Sequence, residues 1–335
     1  MQDRLVFLIG SPRSGSTLTA RMLGAHSAIH APPETHLLTP LAHLGYYATV
    51  ERAPYDPLIT RQAAHELVAA LPGGEEDYLA ALRACSDALY RRLLEAGGGE
   101  LLLDKTPAYA LVLDFVTRLY PKARYLVLTR HPLAVWSSYV DSFFDGDPEV
   151  AHAFNPLLER YVPPIARLLR ERPVPLLHLR YEELVREPER EMRRVAGFLG
   201  VDFEPGMVEY GRDGDAPKAA AGLGDPIGVG REKRPTTKSV ARWAQALAKD
   251  PARLAQARQI LDRLLDPDLE TWGHPRAGIV EQLDAVAPSG GRPRRAWSRY
   301  ALERRLLVRL RRNIHRNAFG RLVRRVRFAC DVLLR

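Results

Sequence analysis

A glycine-rich turn between a buried strand and a helix constrains this chain more than any other feature. The turn covers Gly10 to Thr17, directly after the apolar run Leu5 to Ile9 and directly before the helical pattern Leu18 to Leu23. Glycine lets the backbone approach a ligand closely, and the first N–H groups of a helix converge where the helix dipole is positive. The sequence therefore predicts a cradle for a tetrahedral anion at this turn.

The spacing of the turn matches the phosphate-binding loop G-x-x-x-x-G-K-[ST] at every fixed position except one. Ser16 stands at the lysine position, and Arg13 supplies a cation earlier in the turn. Loops that cleave ATP or GTP use that lysine on the terminal phosphates and the next hydroxyl on Mg²⁺. The missing lysine therefore disfavours cleavage of a nucleoside triphosphate, while the anion cradle is kept.

A second buried strand ends in a cation. The run Arg124 to Thr129 leads into Arg130, and Pro132 is well placed for the first turn of a helix on which Ser138 follows. An arginine gives a planar fork of donors, and a dianionic phosphate accepts such a fork together with a hydroxyl. Taken alone, Arg130 could equally form a surface ion pair; after the first loop, a phosphate site is the better interpretation.

These segments resemble those of the sulfotransferases, whose donor is 3′-phosphoadenosine 5′-phosphosulfate (PAPS). In that family the first loop binds the 5′-phosphosulfate, and the strand-end arginine and helix serine hold the 3′-phosphate. The resemblance implies that Arg130 and Ser138 bind the 3′-phosphate and that the reaction requires no metal. It assigns the 5′-phosphosulfate to Arg13, Ser14, Gly15, Ser16 and Thr17.

Three further segments match the family in the expected order along the chain. Lys105 follows the strand pattern Leu101 to Asp104, as does the family's lysine that contacts the transferred sulfuryl group. Tyr181 opens the turn Tyr181-Glu182-Glu183-Leu184, and the family's tyrosine at this place lies near the adenine. Arg242 lies in Ser239-Val240-Ala241-Arg242-Trp243, which resembles the element whose basic residue reaches the 3′-phosphate.

The stretch Ala31-Pro32-Pro33-Glu34-Thr35-His36 resembles the bacterial and tyrosylprotein-type branch of the superfamily, in which a glutamate after the loop helix is the catalytic base. Glu34 is the candidate base on that match. His36 is the rival, because an imidazole suits general-base work near neutral pH. Either residue could instead be a polar loop side chain. His131 is a weaker candidate, with local hydrogen bonding as the expected role.

The resemblance implies an in-line transfer of the sulfuryl group to an acceptor hydroxyl or amine. Arg13, Lys105 and the loop amides would stabilise the group in transfer. The chain departs from the closest branch at Ser142, where that branch has an arginine. That branch also uses a serine before the C-terminal tryptophan motif to contact the bridging oxygen, and no serine lies between Gly211 and Pro235 here. Lys233, Arg234 or Lys238 could compensate for these differences.

Two other functions remain open on the sequence. A small-molecule kinase would share the loop and the sheet, and would require ATP and Mg²⁺. A non-catalytic protein that kept the nucleotide fold could act through its basic tail. A sugar, lipid, peptide or small molecule would fit as acceptor. Its wall is expected from residues 37–55 and 142–154, including Tyr46, Tyr47, Phe143 and Phe144, which could equally be core residues.

Short aliphatic runs that alternate with helical patterns predict an α/β fold with a P-loop-like parallel sheet and helices on both faces. We expect a sulfotransferase domain over residues 1–285, with a helical insertion at 40–100 on the acceptor side. No apolar run reaches the length of a membrane span. The first strand begins within four residues of Met1, and there are 2 cysteines, so a cytoplasmic location is expected.

The positive charge is concentrated at the C-terminal end. Residues 286–335 hold 15 arginines and 2 acids, a formal charge of +13, so residues 1–285 carry −4 of the net +9. Apolar residues recur every three or four positions, which predicts a basic amphipathic helical tail. The tail could lie on an anionic membrane at its inner face, dock on a protein partner or its own core, or bind nucleic acid, which the lack of a base-reading module disfavours.

Overall fold

This computed structural model describes residues 1–47, 57–211 and 233–286, together with Leu322 and Val326. Within these residues, five parallel strands form one sheet. The strand order across the sheet is β2-β3-β1-β4-β5. The strands are β1 (Leu5–Gly10), β2 (Ile29–His30), β3 (Leu101–Asp104), β4 (Arg124–Thr129) and β5 (Leu176–Arg180). The prediction of a parallel sheet is confirmed.

The central strand β1 is buried on both faces, as its unbroken apolar run predicts. Phe7 and Ile9 point into one hydrophobic cluster, and Val6 and Leu8 point into a second cluster on the opposite face. Successive side chains of a strand alternate between its faces, so a strand that carries only apolar residues has to be covered twice. The helices provide both covers.

The described residues contain fourteen α-helices. They are α1 (Ser16–Gly24), α2 (Leu38–Ala42), α3 (Pro57–Ala70), α4 (Glu75–Gly97), α5 (Leu113–Leu119), α6 (Pro132–Phe143), α7 (Pro148–Phe154), α8 (Leu157–Glu171), α9 (Tyr181–Arg186), α10 (Pro188–Leu199), α11 (Arg242–Ala248), α12 (Pro251–Arg263), α13 (Asp266–Trp272) and α14 (Arg276–Asp284). Short 3₁₀ segments occur at Gln2–Arg4, Pro107–Leu111, Pro205–Met207 and Thr237–Ser239.

Helices α1, α9 and α10 bury their apolar residues in the cluster around Val6 and Leu8. Helices α4 to α8 and α11 to α14 supply the cluster around Phe7 and Ile9. The sheet therefore has helices on both faces, which confirms the predicted fold class. None of the helices within the described ranges is both long enough and apolar enough to cross a membrane.

Because the strands are parallel, their carboxyl ends all meet at one edge of the sheet, where ligands bind in open α/β folds. The loop after β1, Lys105 after β3, Arg130 after β4 and Tyr181 after β5 all lie at that edge. The predicted insertion contains α3 and α4 and packs with α5 and β3. The predicted basic tail lies outside the described residues, except for Leu322 and Val326, which are exposed.

Candidate active site

The loop after β1 requires a glycine next to the first turn of α1. Gly15 has a φ of 100°, and a Cβ atom added there would lie 2.4 Å from Cδ2 of Tyr181. The N–H of Ser14 donates to the carbonyl of Ser11 over 3.1 Å, which closes the turn. The hydroxyls of Ser11 and Ser14 are buried and have no hydrogen-bond partner among the described residues. Buried unpaired hydroxyls at a helix start are suited to an anionic ligand.

Hydrogen bonds join the loop to the second predicted phosphate site. Arg13, whose φ is 68°, donates from Nε to Oγ of Ser138 over 3.0 Å. Arg130 donates from Nη1 to the carbonyl oxygen of Arg13 over 3.1 Å. The structure therefore brings Arg13, Arg130 and Ser138 together, although they come from the loop after β1, the residue after β4 and helix α6.

The guanidinium of Arg130 is buried, with only 7% of the residue exposed. It lies 4.3 Å from the ring centroid of Tyr181, and its Nη2 donates to the carbonyl of Ser239 over 2.9 Å. The hydroxyls of Tyr181 and Ser239 lie 2.6 Å apart. Burial lowers the pKa of Arg130, and its Nε has no hydrogen-bond partner among the described residues. A buried cation with an unused donor is suited to an incoming anion.

The peptide group between Arg130 and His131 is held on both sides. The indole N–H of Trp272 donates to the carbonyl of Arg130 over 2.8 Å. The N–H of His131 donates to Oε1 of Glu182 over 2.9 Å. Neither the indole nor the carboxylate contacts the guanidinium through these bonds, so both act on the backbone that aims it. We call this arrangement the Arg130 peptide clamp.

The side chain of His131 lies behind the clamp and not in the cleft. Its ring stacks on Trp243 at a centroid distance of 4.5 Å, and its ring nitrogens have no hydrogen-bond partner among the described residues. Burial lowers the pKa of His131 to about 3, so the ring is neutral. Burial acts to raise the pKa of Glu182. The His274 ring, whose Nε2 lies 3.5 Å from Oε2, and the N–H of His131 together outweigh burial, so this pKa is lowered to about 2. The local hydrogen bond expected of His131 is made by its backbone.

Glu34 and Lys105 form a close ion pair between Oε1 and Nζ. The exposed fractions of the two side chains are 14% and 8%. Nε2 of His36 lies 3.4 Å from the other carboxylate oxygen, and 42% of its side chain is exposed. Glu34 and His36, the two candidate bases, therefore lie side by side, and only Glu34 is paired with the candidate sulfuryl-binding lysine.

A cleft of about 930 Å³ connects these groups. Of the eleven residues predicted for the site, nine line the cleft: Arg13, Gly15, Ser16, Thr17, Glu34, Arg130, Ser138, Tyr181 and Arg242. Lys105 reaches the cleft through its ion pair with Glu34, and Ser14 lies within the loop. The fold therefore brings the eleven residues together, although they are spread over 230 positions of the chain.

The cleft contains basic residues beyond those eleven. Arg234, Lys238, Lys249 and Arg253 line it, and so does Ser142. Nη1 of Arg253 pairs with Asp141 at 2.7 Å, and its Nη2 donates to the hydroxyl of Ser137 over 2.8 Å. Arg253 thus braces helix α6 beside Ser138, and nothing in its local sequence indicated that contact.

The aromatic residues expected for an acceptor wall fall into two groups. Phe143 lines the cleft, and the Arg13 guanidinium lies 5.9 Å from its ring centroid. Tyr46 and Tyr47 pack against each other at 4.9 Å, and Tyr47 also contacts Phe115 at 4.8 Å. These two tyrosines join the hydrophobic packing around α4 and α5, which is the core role that the sequence left open.

Comparison with known proteins identifies the class. Residues 6–205 match the model of the sulfotransferase family. The chain is 30% identical over 319 residues to the nodulation protein NoeE of Sinorhizobium fredii, covering 88% of this chain and 73% of the relative. It is 24% identical over 309 residues to protein-tyrosine sulfotransferase 2 of Gallus gallus, covering 84% and 75%. The chain therefore belongs to the sulfotransferase family, and the predicted likeness to its bacterial and tyrosylprotein-type branch is confirmed.

A solved structure is also similar to this chain. The sulfotransferase domain of the olefin synthase from Synechococcus PCC 7002 is 26% identical, with a TM-score of 0.46, and the alignment covers 71% of this chain and 86% of that domain. Helices α11 to α14 of this chain lie beyond the family match, which ends at residue 205. Arg242, which lies there, lines the cleft, and Trp272 donates to the carbonyl of Arg130.

Proposed function

We propose that this protein transfers the sulfuryl group of PAPS to an acceptor hydroxyl or amine by in-line displacement. Membership of the sulfotransferase family supports sulfuryl transfer. The observation that carries the PAPS assignment is the convergence, on one cleft, of a glycine loop, a buried arginine beside a serine, and a paired lysine and glutamate. Those are the groups that a donor with two anionic ends and a transferable sulfuryl group would need.

The loop end of the cleft fits the 5′-phosphosulfate. The N–H groups of residues 14–17 lie at the start of α1, where the helix dipole favours an anion, and Arg13 supplies a cation. The unpartnered hydroxyls of Ser11 and Ser14 support an anionic ligand here. We therefore place the phosphosulfate over this loop.

The other end fits the 3′-phosphate. Arg130 has an unused Nε donor, and Ser138 and Arg242 line the same cleft. Tyr181 covers the Arg130 guanidinium with its ring and lines the same cleft, so an adenine that enters beside Arg130 would meet this tyrosine. We assign the 3′-phosphate to Arg130, Ser138 and Arg242, and the adenine contact to Tyr181.

In the proposed reaction, an oxygen–sulfur bond forms between the acceptor hydroxyl and the sulfuryl group. The bond from sulfur to the bridging phosphate oxygen breaks, and adenosine 3′,5′-bisphosphate leaves with the electron pair. Glu34 takes the acceptor proton, and Lys105 moves from Glu34 to the sulfuryl oxygens when the donor is bound. Fixed cations aimed at developing negative charge provide most of the acceleration in such a site.

We assign the proton transfer to Glu34 and not to His36, because Glu34 is more buried and is already paired with Lys105. His36 lies 3.4 Å from Glu34, close enough to pass the proton on to solvent. The acceptor would enter past Phe143 and His36, which line the same cleft and are both partly exposed. A small molecule, a sugar, a lipid or a peptidyl tyrosine remain its candidate classes.

We also propose that residues 1–285 form the catalytic unit and that residues 286–335 serve as a basic contact for an anionic membrane or a protein partner. The charge of the tail, +13 by sequence, contrasts with −4 for the rest. Such a tail can hold an enzyme at an anionic surface.

Calorimetric titration with adenosine 3′,5′-bisphosphate tests the donor assignment. We expect metal-independent binding that weakens by roughly 2–4 kcal/mol in Arg130→Ala, because the variant loses charge-assisted hydrogen bonds in a buried site. ATP with Mg²⁺ is the comparison ligand. Binding of ATP with Mg²⁺ but not of the bisphosphate would overturn the proposal and favour phosphoryl transfer.

A further inference from the structure

Two short segments that carry the proposed base and the proposed lysine lie side by side. The Glu34 carboxylate pairs with Nζ of Lys105. The next residue, Thr35, donates its hydroxyl to Oδ2 of Asp104 over 2.7 Å. The N–H of His36 donates to the hydroxyl of Thr106 over 3.3 Å. Residues 34–36 are thus fastened to residues 104–106 by three successive contacts.

Asp104 is the hub of this arrangement. It is 1% exposed, and its two carboxylate oxygens accept hydrogen bonds from four hydroxyls. The donors and distances to Asp104 are Tyr90 at 2.6 Å, Thr35 at 2.7 Å, Tyr109 at 3.0 Å and Thr106 at 3.0 Å. Burial raises the pKa of Asp104, and these four hydrogen bonds act against that rise.

The hydroxyls have little choice of direction. The Tyr109 hydroxyl accepts the N–H of Leu38 at 3.1 Å, and the Thr35 hydroxyl accepts the N–H of Leu37 at 3.2 Å. Each of these hydroxyls has one proton to donate. The two hydroxyls also lie 3.1 Å from each other, but the Asp104 carboxylate is a charged acceptor and therefore the stronger one. The carboxylate therefore determines the orientation of both hydroxyls, and through them the backbone of residues 35–38.

We propose that Asp104 is a positioning residue for sulfuryl transfer: its buried carboxylate, through Thr35, holds Glu34 in register with Lys105. The proposal rests on the proposed function, in which Glu34 takes the acceptor proton. Asp104 does not touch the reacting atoms. It acts because Lys105 follows it directly in the chain and Glu34 precedes Thr35, which donates to its carboxylate.

The arrangement also ties the pair to the body of the fold. Tyr90 lies on α4 and Tyr109 lies in the 3₁₀ segment after β3, and both are fully buried. A single carboxylate therefore connects a strand end, a helix of the predicted insertion and the loop that carries the base. Misplacement of a catalytic group by about 1 Å can cost roughly 100-fold in rate, so such fixing matters for the chemistry.

The test compares Thr35→Val with Thr35→Ser and with Thr117→Val. Thr35→Val removes the hydroxyl that donates to Asp104 and accepts the N–H of Leu37, and Thr35→Ser restores that hydroxyl. Thr117 is a buried threonine on α5 whose hydroxyl donates to the Leu113 carbonyl over 2.8 Å, so Thr117→Val loses a hydrogen bond away from the site. It is the matched control for loss of stability.

Three quantities are measured on the full chain. The first is the affinity for adenosine 3′,5′-bisphosphate, and the second is the rate of reductive methylation of Lys105 Nζ. The third is kcat with PAPS, measured with whichever of a phenol, a hexose and a primary amine reacts fastest. We expect Thr35→Val to lower kcat roughly tenfold while bisphosphate affinity changes less than about twofold. Lys105 methylation should rise roughly fivefold, the effect of losing one hydrogen bond on local opening. Thr35→Ser and Thr117→Val should resemble the wild type in all three.

Two results would overturn the inference in different ways. If the wild type transfers sulfuryl groups and Thr35→Val keeps the kcat and the Lys105 reactivity of Thr117→Val, Asp104 has no positioning role and the proposed function stands. If the wild type neither binds the bisphosphate nor transfers a sulfuryl group to any acceptor of the panel, the proposed function fails and the positioning role fails with it.

Discussion

The Arg130 peptide clamp predicts a large effect of a conservative change in the core. Trp272 is fully buried, and its N–H is the donor to the Arg130 carbonyl. Trp272→Phe keeps an aromatic ring but leaves that buried carbonyl without its donor, at a cost of ~1–3 kcal/mol. The smaller ring also leaves a cavity that costs ~1–2 kcal/mol. We therefore expect the free energy of unfolding to fall by ~2–5 kcal/mol.

The chain offers a matched control in Trp136→Phe. Trp136 is 2% exposed, and its indole N–H has no hydrogen-bond partner among the described residues. This variant removes the same atoms and creates a similar cavity but breaks no hydrogen bond, so it should cost only ~1–2 kcal/mol. The difference between the two variants isolates the bond to Arg130.

Urea unfolding followed by circular dichroism gives the two free energies, and calorimetry gives the affinity for adenosine 3′,5′-bisphosphate. Because the clamp aims the Arg130 guanidinium, Trp272→Phe should weaken that affinity roughly tenfold, or about 1.4 kcal/mol. Trp136→Phe should leave it within about twofold. Equal losses of stability in the two variants, together with equal affinities, would refute the role of the clamp.

Two further predictions concern the loop and the buried histidine. Gly15→Ala forces a Cβ at positive φ to within 2.4 Å of Tyr181 and should lower the free energy of unfolding in urea by roughly 2–5 kcal/mol. The control is Gly74→Ala, which is also at positive φ but has no atom within 4 Å, and it should lower that free energy by only about 1–2 kcal/mol. His131 is neutral when folded, with a pKa of about 3 against 6.5, so the unfolded chain binds the extra proton and stability falls as the pH drops from 6.5 towards 3. His131→Phe keeps a ring against Trp243 and should flatten this dependence, whereas an unchanged slope would contradict the assignment.

The strands and the loop could be predicted because their signals are local. The apolar run of β1 and the glycine loop after it lie within about a dozen consecutive residues, and Arg130 follows directly on β4. Parallel strands place their carboxyl ends at one edge, so the fold class alone brought Lys105, Arg130 and Tyr181 towards each other. The family resemblance then supplied Glu34, Ser138 and Arg242.

The residues that hold the site's side chains in place, Trp272 and Asp104, could not be predicted in the same way. The donor that holds the Arg130 carbonyl comes from Trp272, 142 residues further along the chain, and Thr35 reaches Asp104 across 69 residues. The local sequence around Trp272 indicates only a core residue, and that around Asp104 indicates only an acid at the end of a strand. No periodicity or spacing distinguishes a buried tryptophan that donates a critical hydrogen bond from one, like Trp136, that donates none.

The sequence by itself determined that this chain has a parallel α/β sheet, an anion-binding loop at its carboxyl edge and the ordered residues of a sulfotransferase. The tertiary structure decided that Arg130 is held through its own peptide group, that Glu34 pairs with Lys105 and that Asp104 fastens those two segments together. Local patterns specify elements and their ends, because the hydrogen bonds and apolar periodicity involved are short in range. Orientation of a side chain inside the core depends on partners that only the folded chain brings within 3 Å.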